Sequence, residues 1–308
     1  MAQTKFSSPP DLELDLISYI CKKVNGIGEI TAHGIARFLE TAEAFALCTE
    51  ADLLEPRTQR GRSYLTPQQA HELIQIRDRF LSPGKTDIRE LWIKALIRDF
   101  VENALDEIND TDFDKLLINP FLIRAFNFTD HREVIRFCFY QKVTRSIVTS
   151  WGFVVQDMLI VTGSIPSTQR GFDLRVDRDG KEYQIQIKSS PNTMNKDAVD
   201  TLNDNIARLQ QAHDKIGILG VTYGLQTQLS GIMQRVSGKV LMGQDLWDFV
   251  ADEKGYTQKV LEWASAGMPN NTDFGTLLDN KERAIMYDWE SKYGTGRASI
   301  EKVLKRCL

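Results

Sequence analysis

The sequence predicts an α/β domain with a small all-α domain ahead of it. Three observations carry this. As far as Phe80 the chain reads as short helices broken by tight turns. Two long stretches with helical spacing follow. After Trp151-Gly152 the apolar period becomes that of strands, with one helical stretch set between them.

Taken in order, Ser82-Pro83-Gly84 punctuates the chain as a linker does, dividing it into residues 1–82 and 83–308. From Ile88 to Ile108, Leu91, Leu96, Ile97, Phe100, Val101 and Leu105 recur at helical spacing, and Glu133 to Ser150 is a second helix. Phe153 to Val161, mostly apolar, is expected to be a strand. Phe172 to Asp177 alternates, and Lys181 to Lys188 alternates again beyond an Asp179-Gly180 turn. A polar loop, Ser189 to Asn195, leads to a helix from about Ala198 to His213 and a strand from Ile216 to Tyr223. Gly231 to Val240 is irregular or strand, with helices near Trp247 and from Lys281 onward; there is no internal repeat.

With 308 residues, 42% of them hydrophobic, the chain is long enough for two packed domains. It has no apolar run of the roughly 18 to 20 residues that cross a bilayer, and Met1 to Pro10 lacks the apolar core of a secretory signal, so a cytoplasmic protein is expected. Cys21, Cys48, Cys138 and Cys307 are too far apart for a Cys-x-x-Cys zinc site and read as reduced thiols, Cys138 in the core. His33, His71, His131 and His213 are equally scattered, so any metal must sit on oxygen ligands. The net charge of −4 weighs mildly against a polyanionic partner. Basic groups nevertheless cluster at Arg57, Arg60 and Arg62 and at Lys302, Lys305 and Arg306, runs that are ordinary solvated surface unless a motif stands beside them.

One such motif is Val24-Asn25-Gly26-Ile27-Gly28-Glu29-Ile30-Thr31-Ala32, a glycine turn running straight into a helix. Two glycines permit a tight hairpin, and its backbone N–H groups with the helix N-terminus form a pocket for one phosphate. The segment resembles the helix-hairpin-helix family of DNA-binding modules. That resemblance makes Gly26, Ile27 and Gly28 the hairpin and Ile30 to Glu40 the second helix, with Thr31 among the DNA contacts. It extends through Ala51-Asp52-Leu53-Leu54 and the helix near Pro67 to Arg79, though Glu29 stands where a small or basic residue is usual.

The second motif runs from Gly171 to Lys188. With Asp179-Gly180 as the turn, residue 178 faces 181 and Asp173 faces Gln186. Alternation then places Asp173, Gln186 and Lys188 on one side, and Leu174, Val176, Tyr183, Ile185 and Ile187 on the buried side. A carboxylate, an amide oxygen and an ammonium so gathered suit phosphodiester hydrolysis: Asp173 and Gln186 as ligands of Mg²⁺, Lys188 to orient or deprotonate water and stabilise charge.

Here the chain resembles the PD-(D/E)xK nuclease superfamily, with Gln186-Ile187-Lys188 where Glu-x-Lys or Asp-x-Lys is usual. Glutamine is a weaker, neutral ligand. Glu182 is a substitute carboxylate, but it lies four residues, about 13 Å, from Gln186 along a regular strand. Glu133, the one acidic residue of its helix, has an open role. The continuation Ser189-Ser190-Pro191-Asn192-Thr193-Met194-Asn195, the strand ending Val221-Thr222-Tyr223-Gly224, and Ile118-Asn119-Pro120-Phe121-Leu122 resemble Type II restriction endonucleases, nearest to a subgroup that cuts palindromes with GG and CC arms.

The resemblance implies a restriction-endonuclease-like mixed sheet flanked by helices, Mg²⁺, cleavage of double-stranded DNA and a homodimer. Asn192, Thr193 and Asn195 become candidate DNA contacts, as do Arg235 and Lys239, although a turn closed by Asn and Pro explains the first three equally well. The rival functions are a structure-directed repair or recombination nuclease and a non-catalytic DNA-binding protein with a degenerate nuclease site.

Overall fold

A computed structural model describes all residues except 1–10, 57–60, 82–86, 210, 212–213, 269–272 and 308. The expected linker Ser82-Pro83-Gly84, Arg57, Arg60 and His213 lie outside the described residues. The chain forms two compact units, one of residues up to Ile97 with Phe153–Gly267, the other of Arg98–Gly152 with Met268 onward.

In the first unit, α1 (Leu12–Cys21), α2 (Glu29–Leu39), α3 (Ala42–Leu47), α4 (Glu50–Leu54) and α5 (Pro67–Phe80) come first. Their starts are written in the sequence. Asp11 and Thr41 cap α1 and α3, while Thr49 with Asp52 and Thr66 with Gln69 form reciprocal capping boxes on α4 and α5. These helices bury Leu16, Ile17, Ile20, Ile35, Phe45, Leu53 and Leu73. The ring of Tyr19 lies 5.2 Å from that of Trp92, whose indole N–H donates to Leu12 O at 2.8 Å. Trp92 belongs to α6 (Ile88–Asp110), the first of the two long helices expected.

The second unit takes the remainder of α6, α7 (Pro120–Ala125), residues 131–152 of α8 (His131–Thr162), α12 (Phe274–Tyr293) and α13 (Gly296–Arg306). Its core joins Val134, Ile135, Cys138 and Phe139 to Ile285, Trp289, Ile300 and Val303. Burial pushes the Cys138 thiol up to about 11, so it packs as an inert apolar group.

Helix α8 corrects one expectation. Phe153–Val161 is not a strand but the last turns of this 32-residue helix. Residues 157–162 are all buried, and a helix end covered on every side shows no apolar stripe at helical spacing. Gly152 does not stop it, since one glycine inside a helix costs only about 1 kcal/mol.

The first unit also holds the five-stranded sheet, β1 (Ile165–Pro166), β2 (Leu174–Arg178), β3 (Lys181–Lys188), β4 (Lys215–Val221) and β5 (Lys239–Met242), in that spatial order. β1, β2 and β3 are antiparallel, and β3, β4 and β5 parallel, which gives the mixed sheet expected. α9 (Lys196–Leu209) makes the crossover from β3 to β4, burying Val199, Leu202 and Ile206 against Leu219 and Val221. Gly217 lets this helix close on the sheet, because a Cβ there would come 2.7 Å from Ile206 Cγ1. α10 (Gln244–Ala251) places Leu246 beside Gly220, and Phe249 stacks edge-on against Tyr183 at 5.1 Å. α11 (Tyr256–Ala266) completes the unit. The fold is mixed α/β with a helical N-terminal region and is consistent with the restriction-endonuclease architecture.

Candidate functional site

Asp179 (φ 52°) and Gly180 (φ 70°) both adopt positive φ, as a two-residue type I′ hairpin requires. That turn fixes the register. Arg178 pairs with Lys181 and Leu174 with Ile185, so Asp173 and Gln186 are next in line. At Asp173 the side chain joins the backbone as a partner of β3. The Asp173 N–H donates to Ile185 O (2.9 Å), while Asp173 Oδ2 accepts from Ile187 N–H (2.7 Å) and from Gln186 Nε2 (2.5 Å). From the other side, Ser167 N–H donates to Asp173 O at 3.0 Å. The carboxylate is therefore held at both its backbone and its side chain.

Burial pushes the Asp173 carboxyl above its usual range, against the Ile187 N–H, the Lys188 charge and the Gln186 amide, which pull it down. Lys188 is half-buried, two positions beyond Gln186 on the same face of β3. These three residues meet as the register predicts.

Glu182 is engaged elsewhere. It pairs with Lys215 (2.7 Å) and Arg175 (3.8 Å) and accepts from Gln184 Nε2 (2.7 Å), and the Lys215 hydrogen bond holds its carboxyl below the usual range. Glu133 is exposed in the first turn of α8, in the second unit. Sequence reasoning missed Gln184. It is only 2% exposed, although it shares the face of Gln186 and Lys188, and Ser167, just past β1, donates to its Oε1 at 2.5 Å. No local pattern signals a partner 17 residues away.

Mg²⁺ takes hard oxygen ligands, commonly one or two carboxylates completed by water and substrate phosphate. Asp173 Oδ1 takes no hydrogen bond from the described residues, and a cation beside it would reverse the cost of burying this charge. Gln186 offers Oε1 once its carboxamide turns. Among the described residues no group of three His, Cys, Asp or Glu is placed to hold a metal. The residues thus fit a cation that borrows most of its ligands from water and phosphate.

After Lys188 the loop folds on itself. Thr193 Oγ1 donates to Ser190 O (3.0 Å), and Asn195 caps α9 by accepting from Ala198 N–H (2.9 Å). Asn192, Thr193 and Asn195 are all exposed, and the Asn192 carboxamide takes no hydrogen bond from the described residues. Lys239 lies over the Phe249 ring at 5.7 Å, and Arg235 O accepts from Asn203 Nδ2 at 3.0 Å.

The glycine hairpin between α1 and α2 forms as the sequence suggests. Gly26 takes φ +81°, Ile27 is buried, and exposed Gly28 is the N-cap of α2. No side chain caps this helix, whose first intrahelical bond is Ala32 N–H to Gly28 O at 3.0 Å. The N–H groups of Glu29, Ile30 and Thr31 thus face outward from the helix start. Gln69 braces the turn by donating to Asn25 O at 3.4 Å. Glu29 is clamped by Lys22 (3.0 Å) and His33 (3.2 Å). Ile30 is 85% exposed.

Among the described residues no helix is long and apolar enough to cross a membrane. No curated protein matches the chain. A family model described as Type II restriction endonuclease EcoO109I matches residues 87–267, more than half of the chain and the whole span of the sheet with its β2–β3 hairpin. The chain belongs to the family of Type II restriction endonuclease EcoO109I.

Proposed function

We propose that this protein is a Mg²⁺-dependent Type II restriction endonuclease of the PD-(D/E)xK kind, hydrolysing phosphodiester bonds of double-stranded DNA at a specific palindromic site as a homodimer. The observation that carries the reading is the meeting of Asp173, Gln186 and Lys188 at one end of the β2–β3 hairpin. A Mg²⁺ ion held there would supply charge neutralisation for the phosphate and Lewis acidity toward water. Asp173, fixed by Ile187 N–H, would hold it with Gln186 Oε1. Lys188 supplies a fixed positive charge for the phosphate oxygens and a donor to orient the attacking water. A palindromic site matches a two-fold protein. The Gly26-Ile27-Gly28 hairpin, with Thr31 at the start of α2, grips one backbone phosphate in the manner of a helix-hairpin-helix module.

One observation favours a second reading, a DNA-binding protein that does not cut: a single carboxylate serves the site, and Gln186 turns its donor toward it. Plasmid cleavage in Mg²⁺ separates the two. The wild type is expected to give discrete fragments. Asp173→Ala and Lys188→Ala each slow cleavage by at least about a hundredfold, with gel-shift affinity kept. Equal cutting by either variant would move the active site elsewhere.

A further inference from the structure

The loop after β4, residues 222–230, is tied to the loop after β3. Thr222 donates its N–H to Lys188 O (3.0 Å) and its hydroxyl to Ser189 O (3.2 Å); Ser230 N–H donates to Pro191 O (3.0 Å). Within the loop, Leu225 N–H donates to Gln228 Oε1 at 2.8 Å. Gly224, at φ +110°, lies so close to Pro191 that a Cβ would come 3.1 Å from its Cγ. A loop braced in this way has little freedom to fold its side chains inward. It nonetheless holds Tyr223 54% and Leu225 66% exposed, and the exposed Gln226 carboxamide takes no hydrogen bond from the described residues. Apolar groups fixed in water on an ordered loop mark a contact surface. The loop leaves the sheet beside the candidate active site, since Tyr223 directly follows the residue whose N–H is bonded to the backbone O of Lys188.

We infer that residues 223–226 are a base-reading loop, with Gln226 and Leu225 reading an A·T pair of the recognition site in the major groove. This rests on the nuclease reading above. A free carboxamide offers the donor and acceptor that match adenine N6 and N7, and an exposed leucine beside a tyrosine ring offers an apolar seat for the thymine methyl. Phosphates need neither.

The experiment is selection of bound sequences from a random duplex pool without Mg²⁺, for the wild type, Gln226→Ala and the Leu225→Ala/Gln226→Ala double variant. Melting temperatures should match, since both side chains are exposed. The wild type enriches a motif; the variants lose about tenfold discrimination at an A·T position and keep the rest. The same motif with unchanged preferences in the double variant overturns the inference, and so does a loss confined to G·C positions. A wild type that enriches a motif yet never cuts plasmid in Mg²⁺ sinks the nuclease reading while leaving the loop assignment intact. Discrete cutting with an unaltered variant motif does the reverse. A wild type that enriches no motif overturns the loop assignment.

Discussion

Gln186 donates to Asp173 Oδ2 at 2.5 Å, and since an ionised carboxylate only accepts, chemistry fixes which end of that amide faces it. Gln186 therefore plays two parts that exclude each other. Without a cation it neutralises part of the buried carboxylate's demand for donors. To ligate a cation it must turn Oε1 inward and give that bond up, leaving Ile187 N–H to hold Asp173.

Gln186→Glu should then retain or raise cleavage in Mg²⁺, because it restores an anionic ligand, while bringing two carboxylates together when the metal is absent. We expect its melting temperature in chelator to fall below wild type and to rise more steeply on adding Mg²⁺. Gln186→Ala should cut at least about tenfold more slowly. Wild-type cutting by the alanine variant would show that Gln186 is no ligand.

Burial raises the Asp173 pKa above its ordinary 3.8. With the folded value raised, the metal-free protein loses stability as pH climbs from 3.8 through that folded value, and the loss persists at neutral pH. Asn at 173 has no charge to bury. In chelator at pH 7, Asp173→Asn should melt about 2 °C or more above wild type, the gap shrinking toward pH 4, although it no longer cuts DNA. Calorimetry at the two pH values decides it, and a wild type that is the more stable at pH 7 refutes it.

Glu182 has the opposite sign. Its pKa is depressed, first by the Lys215 hydrogen bond, so its contribution is present above the ordinary 4.5 and fades as pH falls through the lower folded value. Glu182→Gln should cut at near wild-type rate yet be less stable at pH 7 by about 0.5–1 kcal/mol, a gap that closes in acid. Lost cleavage in a folded variant would instead make Glu182 a member of the metal site.

The hairpin was legible because its information is local. Asp179-Gly180 demands positive φ, alternation fixes the two faces, and together they bring Asp173 to Gln186 without reference to the rest of the chain. What stayed hidden depends on distant partners. The two-residue β1 has no pattern of its own and exists by pairing with Leu174 and Arg175. Gln184 is bonded to Ser167, and residues 157–162 show no helical stripe because every one of them is buried. The exposure of Tyr223 and Leu225 follows from bonds to Pro191 and Gln228, which no reading of residues 222–230 alone supplies.

The last prediction concerns the glycine hairpin. Deleting α1–α5 would uncover Trp92, which is 2% exposed and bonded to Leu12 O, so a truncation confuses lost binding with lost folding. Point changes avoid this. Gly28 has φ −85° and a Cβ there meets nothing within 4 Å, so Gly28→Asp fits the backbone; its carboxylate at the N-cap also favours α2. The same carboxylate would repel a phosphate held by the first N–H groups of that helix. Binding to cognate and scrambled duplexes should weaken by the same factor, about tenfold, with the melting temperature kept or raised. The salt dependence should become shallower, because fewer counterions are released when one phosphate contact is lost. Glu29→Gln, which removes an acid from the same spot, should tighten binding to both duplexes. Titrations at several salt concentrations test all of this. Loss of discrimination between the duplexes, with the salt slope unchanged, would mean that the hairpin reads bases and does not grip the backbone.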